Sequence, residues 1–124
     1  MTKEAAIQAF FESFGLDAYP ATSVPTGEQA PAFPYITYNA PTDSDLNKLI
    51  VTASVYYRDM SWTGINAKIR QISETIGDKK TIKCDEGGLI VRKGSPFAQP
   101  MSDDADDMVK RKVLTFEFLY ATVY

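Results

Sequence analysis

Residues 61–77 read SWTGINAKIRQISETIG and decide the fold class of this chain. Apolar side chains recur there at spacings of three and four residues, which is the period of one face of an α-helix. Ser61 is a suitable N-cap, and Gly77 is typical of the residue at which a helix ends. The stretch therefore predicts an amphipathic helix. Its apolar face consists of Trp62, Ile65, Ile69, Ile72 and Ile76.

A second helix is predicted at the start of the chain. Thr2 is a suitable N-cap and Gly15 a suitable C-terminal stop, about three turns later. The apolar stripe between them predicts that this helix lies on a sheet. It is formed by Ala6, Ile7, Phe10, Phe11 and Phe14.

Two strands are predicted before the Ser61 helix. Residues 33–39 are rich in β-formers and begin with a proline step, and residues 49–58 alternate apolar and polar side chains. Turn-forming residues at 40–45 separate the two runs. We expect these strands to pair in the antiparallel sense.

Three further strands are predicted after the helix. Residues 80–85 and 89–93 flank Glu86-Gly87-Gly88, where glycine can supply the positive φ of a tight hairpin. The last strand, residues 111–123, places Leu114, Phe116, Phe118 and Tyr120 on one face. Glu117 lies on the other face, which we expect to be partly solvated or in contact with a partner.

The predicted order is α-β-β-α-β-β-β in a single domain, residues 1–124. It predicts an α+β fold in which two helices pack on one face of an antiparallel or mixed sheet. A proline-rich loop is predicted at about 16–34 and an acidic loop at about 94–110. Loops of more than about 12–15 residues are usually functional or mobile, so residues 21–32 are a candidate contact arm. An irregular connector is the alternative.

The composition argues against several classes of function. The chain has no histidine, the side chain most often used for proton transfer near neutral pH. Thirteen basic and sixteen acidic residues give a net charge of −3, the wrong sign for general nucleic-acid binding. The single cysteine, Cys84, forms neither an intrachain disulfide nor by itself a zinc site. We expect a soluble protein of a reducing compartment, without a membrane span or signal peptide.

One dense cluster of carboxylates is a candidate metal site. Asp103, Asp104, Asp106 and Asp107 follow Ser102, and Ca²⁺ and Mg²⁺ prefer carboxylate oxygens. The cluster lacks the alternating ligands, central glycine and closing glutamate of a calcium loop. A solvated acidic turn, which repels like charge or meets a basic patch on a neighbour, is the favoured interpretation. No metal or other cofactor is predicted.

Other candidate sites are weaker. Residues 87–94 combine glycines and bases, but they lead into a strand, whereas phosphate loops lead into a helix. Ser61, Ser95 and Ser102 lack a histidine base, and nothing singles out two acids for a glycosidase. The junction of Tyr56, Tyr57, Arg58, Asp59 and Trp62 suggests a stacking platform for single-stranded nucleic acid, although core packing or an interface suits the acidic chain better.

As a whole, the chain resembles the tail terminator (tail-to-head joining) family of long-tailed bacteriophages. The resemblance covers most of the length and rests on size, element order and three segments: FPYITY at 33–38, SVYYRDMSW at 54–62 and GSPFAQ at 94–99. It implies a non-enzymatic virion protein of the tail or neck, assembled in the host cytoplasm. Such a protein forms a hexameric ring on the last tail-tube ring, stops elongation and offers the head-closure protein a docking surface, while DNA passes through without specific binding.

The ring role predicts subunit or partner contacts at aromatics near strand edges and element junctions and at loop residues. The aromatics of the first group can equally belong to the core. The predicted contacts are Tyr35, Tyr38, Tyr56, Trp62, Phe97, Asp103, Asp104, Asp106 and Asp107.

Two other functions stay open. A head-completion or minor capsid protein of the phage neck has a similar size and fold class. A small carboxylate- or metal-dependent enzyme is the alternative from another class. Saturable binding of a divalent cation, lost on changing Asp103 and Asp106 to Asn, would distinguish the enzyme.

Overall fold

The computed structural model describes residues 2–39, 48–85, 87–101 and 106–122. Two α-helices are present, α1 at Lys3–Glu12 and α2 at Thr63–Ile76. The strands are β1 at Asp17–Pro20, β2 at Tyr35–Asn39, β3 at Lys48–Arg58, β4 at Lys80–Cys84, β5 at Gly87–Met101 and β6 at Val109–Thr122. Two short 3₁₀ turns, Ala21–Ser23 and Gly27–Gln29, lie between β1 and β2.

All six strands form one sheet in the order β1-β2-β3-β6-β5-β4. β1 runs parallel to β2, and every other pair is antiparallel, so the sheet is mixed and the predicted α+β class is confirmed. The chain order differs from the prediction by one strand. β1 occupies Asp17–Pro20, at the start of the region predicted as a proline-rich loop. Because parallel neighbours need a crossover, residues 21–34 carry the chain back along the sheet edge.

Both helices pack on the same face of the sheet, as predicted. Thr2 caps α1, since its hydroxyl accepts a hydrogen bond from the Ala5 N–H at 3.1 Å. Ser61 Oγ accepts from the Thr63 N–H at 3.1 Å, and Gly77, with φ of 56°, ends α2. The two apolar stripes meet alternate residues of the strands in a single core. Its fully buried side chains include Phe11, Ile36, Val51, Val55, Ile65, Ile72, Ile76, Leu89, Val91, Leu114, Phe116 and Phe118.

The loop predicted at about 94–110 is shorter than expected. β5 continues through Met101 and β6 begins at Val109, so most of that region is strand. A register irregularity between Lys93 and Ala98 lets β5 pass Pro96 and still pair with β6 up to Met101. Such bulges admit residues that a regular ladder excludes, which explains why proline here does not end the strand.

Two expected turns lie wholly or partly outside the described residues. Residues 40–45, expected to join β2 and β3, and Glu86 of the β4–β5 hairpin lie outside them. Gly87 and Gly88, expected in the hairpin turn, belong to β5 and pair with Cys84 and Lys83. No helix in the described part of the chain has the length and apolarity needed to cross a membrane.

Candidate interaction surface

The sheet face opposite the helices carries a row of aromatic side chains. Tyr35 and Tyr56 are direct cross-strand partners, and their rings stack with centroids 4.8 Å apart and planes at 17°. Tyr19 of β1 meets Tyr35 edge-on at 6.4 Å, and Phe33 lies 5.3 Å from Tyr35. Arg111 of β6 pairs with Tyr56 and holds its guanidinium 5.5 Å from that ring. We call these five residues the aromatic row.

Strand alternation places the aromatic row on this face. Tyr19, Tyr35 and Tyr56 each adjoin a buried residue, namely Ala18, Ile36 and Val55. Because successive side chains point to opposite faces, the tyrosines face away from α1 and α2. All three tyrosines are half-buried, and Phe33 is 39% exposed.

Arg111 is held in place by a second contact. Its Nε and Nη2 donate to Ser54 Oγ at 3.2 and 3.0 Å. Ser54 is 8% exposed and is the one polar residue buried among the described residues. The bidentate contact fixes the plane of the guanidinium beside Tyr56, so the row ends in an oriented positive charge.

The tyrosine at the centre of the row keeps its proton. Burial raises the pKa of the Tyr35 hydroxyl, the neighbouring Tyr56 hydroxyl adds to the rise, and the Arg111 guanidinium opposes it. The phenol is therefore neutral near pH 7 and available as a hydrogen-bond donor. The hydroxyls of Tyr19, Tyr35 and Tyr56 make no hydrogen bond to any described residue.

A charged patch lies at the other end of the same face. Lys48 Nζ and Glu117 Oε1 form an ion pair at 2.8 Å. The hydrogen bond from Lys48, its charge and that of Arg92 lower the pKa of the Glu117 carboxyl, against a smaller opposing effect of burial. Ile50, the cross-strand partner of Glu117, is 47% exposed. Glu117 thus lies on a partly solvated face, as the sequence predicts.

Three of the predicted contact aromatics lie on the helix side of the sheet. Tyr38 is 7% exposed and stacks on Phe11 with centroids 4.8 Å apart, so it belongs to the core. Phe97 is half-buried and meets Phe116 edge-on at 5.5 Å. Trp62 is half-buried at the start of α2.

Two lysines flank Trp62. The ammonium groups of Lys110 and Lys112 lie 5.7 and 6.0 Å from the centre of its ring. Cation–π contacts of this length are weakly stabilising at partly exposed sites. They keep two positive charges beside the indole, at the end of the sheet where β6 begins.

The acidic cluster is only partly covered. Asp103 and Asp104 lie outside the described residues. Asp106 Oδ2 pairs with Arg58 Nε at 3.4 Å, and Asp106 Oδ1 accepts from the Met108 N–H at 2.9 Å. Asp107 is exposed, and its carbonyl accepts a hydrogen bond from Lys110. The Asp106 carboxylate therefore neutralises Arg58 and orders the start of β6, whereas Asp107 contributes only its backbone carbonyl.

Among the described serines considered as nucleophiles, no hydroxyl forms a hydrogen bond to a possible general base. Ser61 Oγ lies 2.8 Å from Thr63 Oγ1 and accepts from the Thr63 N–H. The N-cap position of α2 is occupied by Trp62, one residue after the Ser61 that the sequence predicts, and the Trp62 side chain makes no capping hydrogen bond. Ser95 is exposed in β5, and Ser102 lies outside the described residues. Among the residues described, no three acidic or cysteine side chains are grouped as metal ligands would be.

The structure also adds contact candidates that the sequence analysis missed. Tyr19 belongs to a strand that the sequence does not predict, and Phe33 has only the local signal of a strand start. Arg111 falls on the predicted last strand, where nothing in the local sequence indicates a role. The signal that finds it is the alternation of β6, in which Arg111 falls on the face opposite Leu114.

Comparison with known proteins identifies a solved structure with a similar fold. No family model matches the chain, and no curated protein does. Among solved structures, a chain from the virion of a native gene transfer agent particle matches with a TM-score of 0.64 and 15% sequence identity. The match covers 96% of this chain and 94% of that chain. At this level of identity, the likeness shows that the two chains share a fold over nearly their whole lengths.

Proposed function

We propose that this chain is a structural protein of a phage-like virion and, within that class, a tail terminator. It would cap the tail tube, end elongation as a hexameric ring and present the surface on which the head docks. The observation that carries the proposal is the fold shared with a virion chain over 96% of the length. The sequence resemblance to the terminator family, carried by residues 33–38, 54–62 and 94–99, supports the finer assignment.

The surface of the molecule supports an assembly role. Subunit contacts favour aromatic side chains set in well-packed surroundings. Tyr35 and Tyr56 have this character, since they are stacked on each other on a face where no helix packs. Trp62, with its two lysines, and the exposed Asp107 are further contacts that we propose. Tyr38 and Phe97 contribute to folding, because both pack against core phenylalanines.

The proposed partners are other virion proteins. They are copies of this chain, the tail-tube protein on one side and the head-closure protein on the other. The proposed location is the tail or neck of the virion, reached from the host cytoplasm. A net charge of −3 suits a ring through which DNA passes, because it gives little attraction to phosphates.

Light scattering on size-exclusion peaks, followed by negative-stain microscopy, tests the proposal. The purified chain is imaged alone, with tail tubes and with filled heads from the same virus. Rings or caps on tube ends support the terminator role. Binding to heads but not to tubes assigns the chain to head completion, and binding to neither overturns the virion role.

A further inference from the structure

The segment that crosses over between β1 and β2 is almost entirely exposed. We call residues 21–32 the arm. Neither of its 3₁₀ turns has a buried residue, and only Val24, Pro25 and Pro31 are half-buried. Half of the residues in the arm are alanine, valine or proline, and burial of these apolar side chains on another surface would be favourable.

Parts of the arm already have the polyproline II conformation. Val24 has φ −78° and ψ 124°, and Ala30 has φ −55° and ψ 142°. Each precedes a proline, which favours this extended conformation. Segments of this kind dock on surfaces lined with aromatic rings, at a small entropic cost because they are already extended.

The aromatic row has the chemistry that such a segment requires. Its three tyrosines offer ring faces and edges for proline and alanine side chains. Their hydroxyls make no hydrogen bond within the described residues and can donate to the carbonyls of an extended chain. At one end, Arg111 presents a guanidinium whose orientation is fixed by Ser54.

Opposite charges on the arm and on the aromatic row specify how the arm would be oriented on the row. Glu28 is exposed in the arm and forms no ion pair with any described residue of its own chain. Arg111 has hydrogen bonds to a neutral serine and no described carboxylate partner. A carboxylate and a guanidinium that each have no ionic partner among the described residues of one copy can pair between two copies.

We propose that the arm of one protomer docks on the aromatic row of a neighbouring copy, with Glu28 against Arg111. The contact joins two different surfaces, so repetition generates a closed ring when the rotation per subunit divides a full turn. The inference rests on the proposed function in assuming that copies of the chain assemble. It names the surfaces that hold them together.

Cross-linking between two single-cysteine proteins tests the contact. One protein carries Gln29→Cys in the arm, and a second, tagged for mass, carries Met101→Cys, whose site is the cross-strand partner of Arg111. Both also carry Cys84→Ser. A short bismaleimide is added to the mixture, alone and on tail tubes. We expect a cross-linked heterodimer, and none when Met101→Cys is replaced by Asn66→Cys on the exposed side of α2.

The outcomes separate this inference from the proposed function. Capping of tubes without the cross-link overturns the inference and leaves the terminator role standing. The cross-link without capping supports the inference and overturns the terminator role. A monomer that gives no cross-link in solution or on tubes overturns the inference.

Charge reversal provides an independent measurement. Glu28→Arg should raise the dissociation constant of the assembly about tenfold, and so should Arg111→Glu, since each places like charges together. Combining both changes should restore most of the loss. The matched control is Glu74→Arg on the exposed side of α2. Because Glu28 has no described ionic partner in its own chain, Glu28→Arg should fold normally, and assembly unchanged from wild type in this variant overturns the proposal.

Discussion

Gly94 of β5 lies so close to Thr115 of β6 that a Cβ atom at Gly94 would stand 2.6 Å from Thr115 Cγ2. Thr115 Cβ and the Thr115 carbonyl oxygen, at 3.0 and 3.1 Å, close the same space. A side chain at this position would force the two longest neighbouring strands apart. Glycine is therefore required by contact between the strands, at the start of the irregular part of their pairing.

Gly94→Ala should destabilise the fold by about 1–3 kcal/mol, the usual cost of forcing extra volume into a packed site. Chemical denaturation gives the change in the free energy of unfolding. Thr115→Ser removes the nearest methyl group, so the double variant should recover part of the loss. A Gly94→Ala protein as stable as the wild type would contradict this close approach.

Truncation of the α2 stripe should be costly. Ile72 is fully buried against the sheet, and Ile72→Ala should cost about 2–5 kcal/mol through lost burial and the cavity left behind. Arg70→Ala, at an exposed position of the same helix, is the control and should change stability by less than about 0.5 kcal/mol. Similar losses for both variants would contradict the assigned face of the helix.

Tyr38 ties β2 to α1 by a hydrogen bond. Its hydroxyl donates to Gln8 Oε1, while Gln8 Nε2 donates to the Ala18 carbonyl at 2.9 Å. Tyr38→Phe keeps the stacking on Phe11 but removes the donor, so we expect a loss of about 0.5–1.5 kcal/mol in thermal or chemical unfolding. In the Tyr38→Phe background, Gln8→Ala should still lower stability, because it also removes the hydrogen bond to the Ala18 carbonyl. The double variant should nevertheless lose less than the sum of the two single variants, because the two side chains share one hydrogen bond.

The Lys48–Glu117 pair makes stability depend on pH. Because the pKa of Glu117 in the folded protein lies below its usual 4.5, the carboxylate contributes stability that is complete above about pH 4.5. This contribution is lost as the pH falls through the lowered value. Glu117→Gln should therefore lower the Tm at pH 7 and match the wild type in strong acid. Glu74→Gln is the control, and a difference that persists in strong acid would exclude the ion pair as its cause.

The helices and the last strand could be predicted because their signals are local. In α2 the isoleucine spacing and Gly77 agree with the structure, although the N-cap is Trp62 and not the predicted Ser61. In β6 the alternation from Leu114 to Phe118 fixes which face is buried. Packing of both helices on one sheet face follows because each helix has a single apolar stripe and the strands place their buried apolar residues on one face.

β1 and the far half of β5 could not be predicted, since each depends on distant residues. β1 has four residues and ends in a proline, and it is a strand because β2 lies beside it. β5 passes Gly94, Pro96 and Pro100, which usually interrupt strands, and pairing with β6 nevertheless carries it to Met101. The residues of β1 and β5 alone do not show that β2 and β6 lie beside them.

The candidate surface was predicted in part. Tyr35 and Tyr56 are predicted contacts because they are aromatics near strand edges or element junctions, and the structure brings them together on the open face. Tyr38 has the same local character but falls on the opposite side of β2, one of the alternatives that the sequence left open. The contribution of Arg111 depends on strand register, which a single strand does not specify.

The parallel pairing of β1 and β2 sets how much chain the crossover needs. From Pro20 the backbone has to return only about 10 Å along the sheet to reach Tyr35, given about 3.3 Å per strand residue. The 14 residues from 21 to 34 could span about 45 Å when extended, several times that distance. Most of this length is not needed to connect the two strands. Insertions and deletions here would therefore change how far the crossover extends from the sheet, while the core keeps its packing. Sequence changes in the crossover can therefore alter which surfaces it contacts and leave the sheet unchanged.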